Sequence, residues 1–349
     1  MELSVCIIVK NEEKCLRILL ERVKNFADEI IITDTGSVDR TKEIAKEYTD
    51  KVFDFIWQND FSKARNFCFS KATKDFVMWL DADDYIDENN IRKLNALKNN
   101  LSADCYMLKY AIAFQDKVPT FEYFRERILR RSFGFVWKGF IHEAITPAGK
   151  IEYLDITIEH HKKAESDPKR NLLIYRAHKK MGEIFDARSQ YYYSKELFYN
   201  EFFRQAILEL KKFLKMDNSY LPNIQDAIFT ILICFNELDL PQKAIDFACD
   251  FLKTNIPTSE ICCEVAKSFL KMGKPNNAIF FYQMALSCQF DLKSGAFFQS
   301  DFYYFIPHIQ LAYLLFEKDY QKARYYHGLA KVEKPNHPAV ILNEKFFQI

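Results

Sequence analysis

The sequence predicts an α/β domain followed by an all-α domain, on three observations. Residues 1 to about 100 alternate short apolar runs with segments of helical periodicity. From Asp104 to His161 strand-like runs continue without long helices between them. After Asp167-Pro168 the pattern becomes almost wholly helical, and one internal spacing recurs. A chain of 349 residues is long enough for two such domains, expected at 1–165 and 166–349.

In the first domain, Leu3 to Val9 reads as a buried strand and Glu12 to Phe26 as a helix with Leu16, Leu19, Leu20 and Val23 on one face. Glu29 to Asp34 is a second strand, Thr41 to Tyr48 a helix, Val52 to Ile56 a third strand, and Phe61 to Lys71 a helix. Phe76 to Leu80 supplies the fourth strand. Strands joined by helices imply a parallel sheet with right-handed crossovers. Cys105 to Tyr110 and Ile151 to Ile158 add strands that make the sheet mixed.

In the second domain Leu197, Phe235, Phe269 and Leu314 are each followed nine residues later by Ala206, Ala244, Ala278 and Ala323. Those alanines are 38, 34 and 45 residues apart, and Pro335 lies twelve residues beyond the last. A small residue recurring at this period lets paired helices approach closely. The pattern resembles the tetratricopeptide (TPR) repeat, which implies an array of helical hairpins. Such an array offers a surface for an extended peptide or for a homo-oligomer. Its aromatics, including Tyr191, Tyr192, Tyr193, Phe202 and Phe203, are read as core.

Composition narrows the function classes. With 49 basic and 48 acidic residues the formal net charge is +1, which argues against a nucleic-acid or membrane-surface binder. The nine cysteines form no CxxC pair, and no apolar stretch is long enough to span a bilayer. Met1-Glu2-Leu3-Ser4 lacks a basic leader, so a reduced, cytoplasmic setting is expected.

The chemistry concentrates where strands end. Phe76-Val77-Met78-Trp79-Leu80 breaks abruptly into Asp81-Ala82-Asp83-Asp84. Carboxylates this close repel one another and demand a cation, and the carboxyl edge of an α/β sheet is where ligands bind. A divalent ion on a phosphate-bearing substrate answers both needs. Lys10-Asn11-Glu12 ends the first strand, and Asp34-Thr35-Gly36-Ser37-Val38-Asp39-Arg40-Thr41 ends the second. Asp60-Phe61-Ser62-Lys63-Ala64-Arg65-Asn66 opens a helix that places Arg65 near bound phosphate.

In order and spacing these four segments resemble the family 2 glycosyltransferases of GT-A fold, a Rossmann-like mixed sheet. The resemblance covers roughly residues 1 to 160. Joined to helical repeats, it is also similar to bacterial transferases that glycosylate peptides or proteins, including the sublancin S-glycosyltransferase group. It implies inverting transfer from a nucleotide-diphosphate sugar, with uridine as the expected base and Mn²⁺ or Mg²⁺ as cofactor. Asp34 would hold the base beside Asn11 and Glu12, Arg65 would lie near the nucleotide, and Asp81-Ala82-Asp83 would be the DxD motif. Asp81 would face ribose and metal, Asp83 would be the main metal ligand, and Asp84 would touch sugar or metal.

An inverting transfer needs a base for the acceptor's proton. His142-Glu143, in Trp137-Lys138-Gly139-Phe140-Ile141-His142-Glu143, supplies two candidates, with Glu143 preferred. Glu159-His160-His161 ends the last strand, and one histidine can add a metal ligand; tandem residues of a strand face opposite sides, so both would not. Three readings follow: a peptide or protein acceptor recruited by the repeats; a cell-surface polysaccharide or lipid-linked sugar, with the repeats serving oligomerisation; or a vestigial scaffold.

Overall fold

The structure, a computed structural model, describes residues 1–98, 100–115, 118–161, 167–217, 220–290 and 299–347. It forms two compact units, Met1–His178 and Lys179–Ile349. The expected boundary at 165/166 lies outside the described residues, ahead of this division, and the helix that follows it packs on the first unit. In that helix Leu172, Ile174, Tyr175 and His178 are buried. The rings of Tyr175 and His178 lie 5.0 and 3.9 Å from that of Phe140.

The first unit runs β1 (Leu3–Val9), α1 (Leu16–Val23), β2 (Glu29–Asp34), α2 (Thr41–Lys46), β3 (Val52–Asp54), α3 (Phe61–Ser70), β4 (Phe76–Asp81) and β5 (Asp84–Tyr85). It continues through α4 (Glu88–Lys98), β6 (Cys105–Gln115), β7 (Val118–Arg130), β8 (Ile151–His160) and α5 (Arg170–Lys180). The eight strands form one sheet in the order β3-β2-β1-β4-β7-β6-β8-β5. β1 to β4 are parallel, as expected, and β7 then runs antiparallel to β4, which makes the sheet mixed. The chain leaves β1 in one direction for β2 and β3, then returns on its other side with β4. That reversal opens a crevice beyond the carboxyl ends of β1 and β4. Both strands are buried almost throughout, which is why they read as continuous apolar runs.

Two local departures shape the crevice. The first helix begins at Leu16 rather than Glu12, because Asn11 is left-handed (φ +58°) and Glu12 to Cys15 are spent on a turn. Between β6 and β8 the register jumps from Leu108↔Leu154 to Lys109↔Thr157, so Asp155 and Ile156 form a bulge. Beyond it β8 pairs antiparallel with β5, setting His160 opposite Asp84.

The second unit is helical: α6 (Ala187–Tyr199), α7 (Phe203–Phe213), α8 (Leu221–Glu237), α9 (Pro241–Leu252), α10 (Ser259–Lys271), α11 (Pro275–Ser287), α12 (Ile306–Leu315), α13 (Tyr320–Glu333) and α14 (Pro338–Phe347). The four repeat alanines open the second helix of each pair, and all are fully buried. In three pairs the first helix ends on a left-handed residue, Glu201, Asp239 or Gly273. The amide just beyond donates to the carbonyl of Leu197, Phe235 or Phe269 at 2.9 Å in each case. This is a Schellman turn, and its acceptor is the repeat residue that marks the spacing. All nine cysteines are free. Among the described residues no helix is long and apolar enough to cross a membrane.

Candidate active site

Asp60 is extended and caps α3, its carboxylate accepting the Lys63 amide at 3.0 Å and the Ser62 hydroxyl at 2.7 Å. The cap fixes the phase of the helix, which turns Arg65 inward against the rings of Trp79 and Trp137, 5.0 and 4.7 Å from the guanidinium carbon. One turn of the same helix clips the loop 137–143. Asn66 exchanges hydrogen bonds with the backbone of Trp137 at 2.9 and 3.0 Å, and the Phe61 amide donates to the Phe140 carbonyl at 2.9 Å. Lys138 and Ala144 close the loop at its base. Gly139 (φ +90°) and His142 (φ +52°) take left-handed conformations that fold it back.

The result joins both halves of the expected site. Arg65 donates from Nη2 to Asp81 Oδ1 at 2.8 Å and from Nε to Glu143 Oε1 at 2.7 Å. It is nearly buried, and although burial works against its charge, Asp81 and Glu143 raise its pKa. Burial also opposes the charge of Asp81, but Arg65 and then Arg127 hold it down to about 2.

Asp84 closes the acidic turn from beneath. Its side chain is fully buried, Oδ2 accepting the Asp81 amide at 2.9 Å and Arg127 Nη1 at 3.0 Å. Oδ1 accepts the Tyr110 hydroxyl at 3.1 Å. His160 Nδ1 lies 3.4 Å from an oxygen of both Asp83 and Asp84. Burial lowers the His160 pKa, and the bond to Asp84 with the charge of Asp83 more than offsets it, so the net shift is upward. At Asp83 the balance goes the other way, to a raised pKa. Burial raises its pKa; His160 opposes this, and Asp81 and Asp84 add to it. Glu12 is also raised, again by burial first. Carboxyls held above their ordinary range across one crevice mark unneutralised charge, which a cation would relieve. Asp81, Asp84 and His160 each offer a ligand atom within 4.8 Å of the others, and carboxylate oxygens joined by an imidazole suit Mn²⁺ better than Mg²⁺.

A cleft of about 940 Å³ collects Asn11, Glu12, Arg65, Asp81, Asp83, His142, Glu143 and His160 along its walls. Three expected residues do not line the cleft. Asp34 is buried and builds a turn, Oδ1 accepting the amides of Gly36 and Ser37 at 2.9 Å, while Oδ2 has no hydrogen-bond partner among the described residues. Asp84 lies under the floor. His161 faces away, its Nε2 2.7 Å from Glu159 and its ring stacked on Phe114. The tips of β1 and β2 are zipped together: the Asn11 amide donates to Ser37, the Val38 amide to Asn11 Oδ1, and the Glu12 amide to Thr41. Sequence reading passed over Arg127 and Tyr110. Arg127 follows the charged Arg125-Glu126 and has apolar neighbours, Ile128 and Leu129, on one side only, so no sequence signal marked its burial. A smaller hollow of about 450 Å³ at the amino end of the strands holds lysines already paired with acids, Lys51 with Glu29 and Lys74 with Glu2.

Residues 4–148 match the family described as Glycosyl transferase family 2. The glycosyltransferase SunS of Bacillus subtilis is 36% identical over 109 residues, 30% of this chain and 26% of that protein. A TPR repeat-containing protein of Synechococcus elongatus is 45% identical over 83 residues, 24% of this chain and 21% of that protein. The poly(ribitol-phosphate) β-N-acetylglucosaminyltransferase TarS of Staphylococcus aureus is 27% identical over 119 residues, 31% of this chain and 21% of that protein. This chain therefore aligns with about a quarter or less of each of these relatives.

Proposed function

We propose, from the family 2 glycosyl transferase domain at residues 4–148, that this chain transfers a sugar with inversion from a nucleotide diphosphate to a polypeptide side chain. The observation that carries the reading is the meeting of Asp81, Asp83 and His160 with Arg65 and Glu143 in one cleft. Asp81, Asp83 and His160, with Asp84 behind them, would hold a divalent ion, which would offset charge on the departing diphosphate. Arg65 orients Asp81 and adds positive charge beside the leaving group. With Oε1 held by Arg65, Glu143 takes the proton as the acceptor oxygen or sulfur bonds to the anomeric carbon. The bond from that carbon to the diphosphate breaks in the same step, on the opposite face. His142 orients the acceptor. Asp34 serves the base end of the donor through the turn it builds, and Asn11 and Glu12 line that end.

A uridine diphosphate sugar with Mn²⁺ is the first donor to test, in a thermal-shift screen of nucleotide sugars. Binding of a donor at a hundred times its Kd stabilises by about 2.7 kcal/mol, a shift of a few degrees. Shifts that need both donor and metal support the reading; none with any nucleotide sugar favours a vestigial scaffold. The similarity to TarS, a poly(ribitol-phosphate) transferase, supports a second acceptor, a phosphate-linked polymer. Transfer to such a polymer and not to polypeptide would select it.

A further inference from the structure

We propose that Arg127 is a positioning residue, which fixes the acidic turn 81–84 by holding, from inside the sheet, its last residue and the strand that leads into it. It rests on the reading of the cleft as a metal-assisted donor site. Arg127 sits on β7, a strand that contributes nothing to the cleft wall, and is fully buried. One nitrogen, Nη1, donates to the Trp79 carbonyl at 3.1 Å, ahead of the turn, and to Asp84 Oδ2 at 3.0 Å, at its end. Asp84 Oδ2 also receives the Asp81 amide. A single guanidinium thus ties β4, the turn and the Asp81 backbone into one unit. Its plane is held by Trp79 on one side and Tyr110 on the other, 3.6 and 4.2 Å from the ring centroids. Nε and Nη2 have no hydrogen-bond partner among the described residues. Full burial with two idle donors is a costly way to keep an arginine, and a hydrophobic residue would serve packing alone better. What the arginine supplies is direction. Without it Asp84 is a buried carboxylate facing Asp81 and Asp83, and the three would spread apart.

Lysine retains the charge at this position and loses the planar fork and its stacking. Arg127→Lys is therefore expected to fold, as judged by circular dichroism, yet to bind Mn²⁺ about 10-fold or more weaker in a spin-resonance titration without donor. Amide exchange in the peptide containing Asp81 should rise in the variant while that of Leu3–Val9 stays as in the parent. Arg127→Met, if it folds, should exceed both effects. Parental exchange in the Asp81 peptide of folded Arg127→Lys would overturn the proposal, as would raised exchange with parental Mn²⁺ affinity. A parent that binds no Mn²⁺ would instead refute the metal reading, and the exchange comparison alone would then decide the role of Arg127.

Discussion

Glu143 and Asp81 share one arginine, so the acceptor and donor sides of the cleft are electrostatically linked at a single side chain. Glu143→Gln keeps a hydrogen-bond acceptor for Arg65 and removes the base. Transfer to a hydroxyl acceptor is expected to fall by roughly 10²-fold or more in an initial-rate assay, with metal-dependent donor binding retained. A cysteine acceptor would lose much less, because its thiol ionises far more readily. Full hydroxyl transfer by the variant would move the base elsewhere, with His142 next in line. Asp81, Asp83 and Asp84 were legible at this scale because they stand where an apolar run stops, and Arg65 because it lies in the opening turns of a capped helix after a strand. Arg127 was not, since its meaning depends on Asp84 and Trp79, partners 43 and 48 residues away along the chain. Which of His160 and His161 faces the acidic turn likewise lay outside residue identity and follows from the pairing of β5 with β8.

Elements carry the site because their ends are tied to one another. At the amino end of the sheet Glu29, on β2, binds Ser4 on β1, Lys51 before β3, and the Thr73 amide and hydroxyl at 2.8 and 2.7 Å before β4. Burial alone would raise this carboxyl, but Lys51, Ser4 and Thr73 bring it down to about 2. A depressed carboxylate stabilises the fold above its unfolded pKa, near 4.5, and loses that contribution as pH falls towards 2. With Lys51 partly exposed, the contribution is on the order of 2 kcal/mol. Chemical denaturation should therefore show stability of the parent dropping between pH 4.5 and 2 more steeply than in Glu29→Gln; equal slopes would contradict this account. Most strands and the parallel core were legible from apolar runs, and the hairpin alanines from their spacing. Helix ends were less so. Glu201 and Asp239 adopt left-handed turns in which glycine is the usual residue, so no sequence signal marked the stops.

At the scale of the whole molecule, the division at His178 matters more than the expected one at 165. Cutting at 165 would remove Tyr175 and His178 from Phe140, and with them the support of the loop that holds Glu143. A protein ending at His178 is expected to hydrolyse donor as the full chain does, while transfer to a polypeptide acceptor falls at least 10-fold through KM. Unchanged transfer would show that the repeats do not recruit the acceptor. The order of an α/β unit followed by helical hairpins was legible because periodicity changes along the chain, whereas the exact joint was set by packing that no local pattern reports.

The bulge of Asp155 and Ile156 bears on how this strand can change length. Two surplus residues preserve the alternation of faces, so excising both would join Leu154 to Thr157 with every later side chain on its present side. His160 would still meet Asp84, because β5 and not the start of β8 sets its place. Such a deletion forfeits the buried Ile156 and the links from Asp155 to Lys93 and Lys109. It leaves the histidine's address intact. Over evolutionary time the strand can gain or shed residues in pairs upstream while its chemistry stays anchored downstream, and a single-residue insertion is the change it cannot absorb.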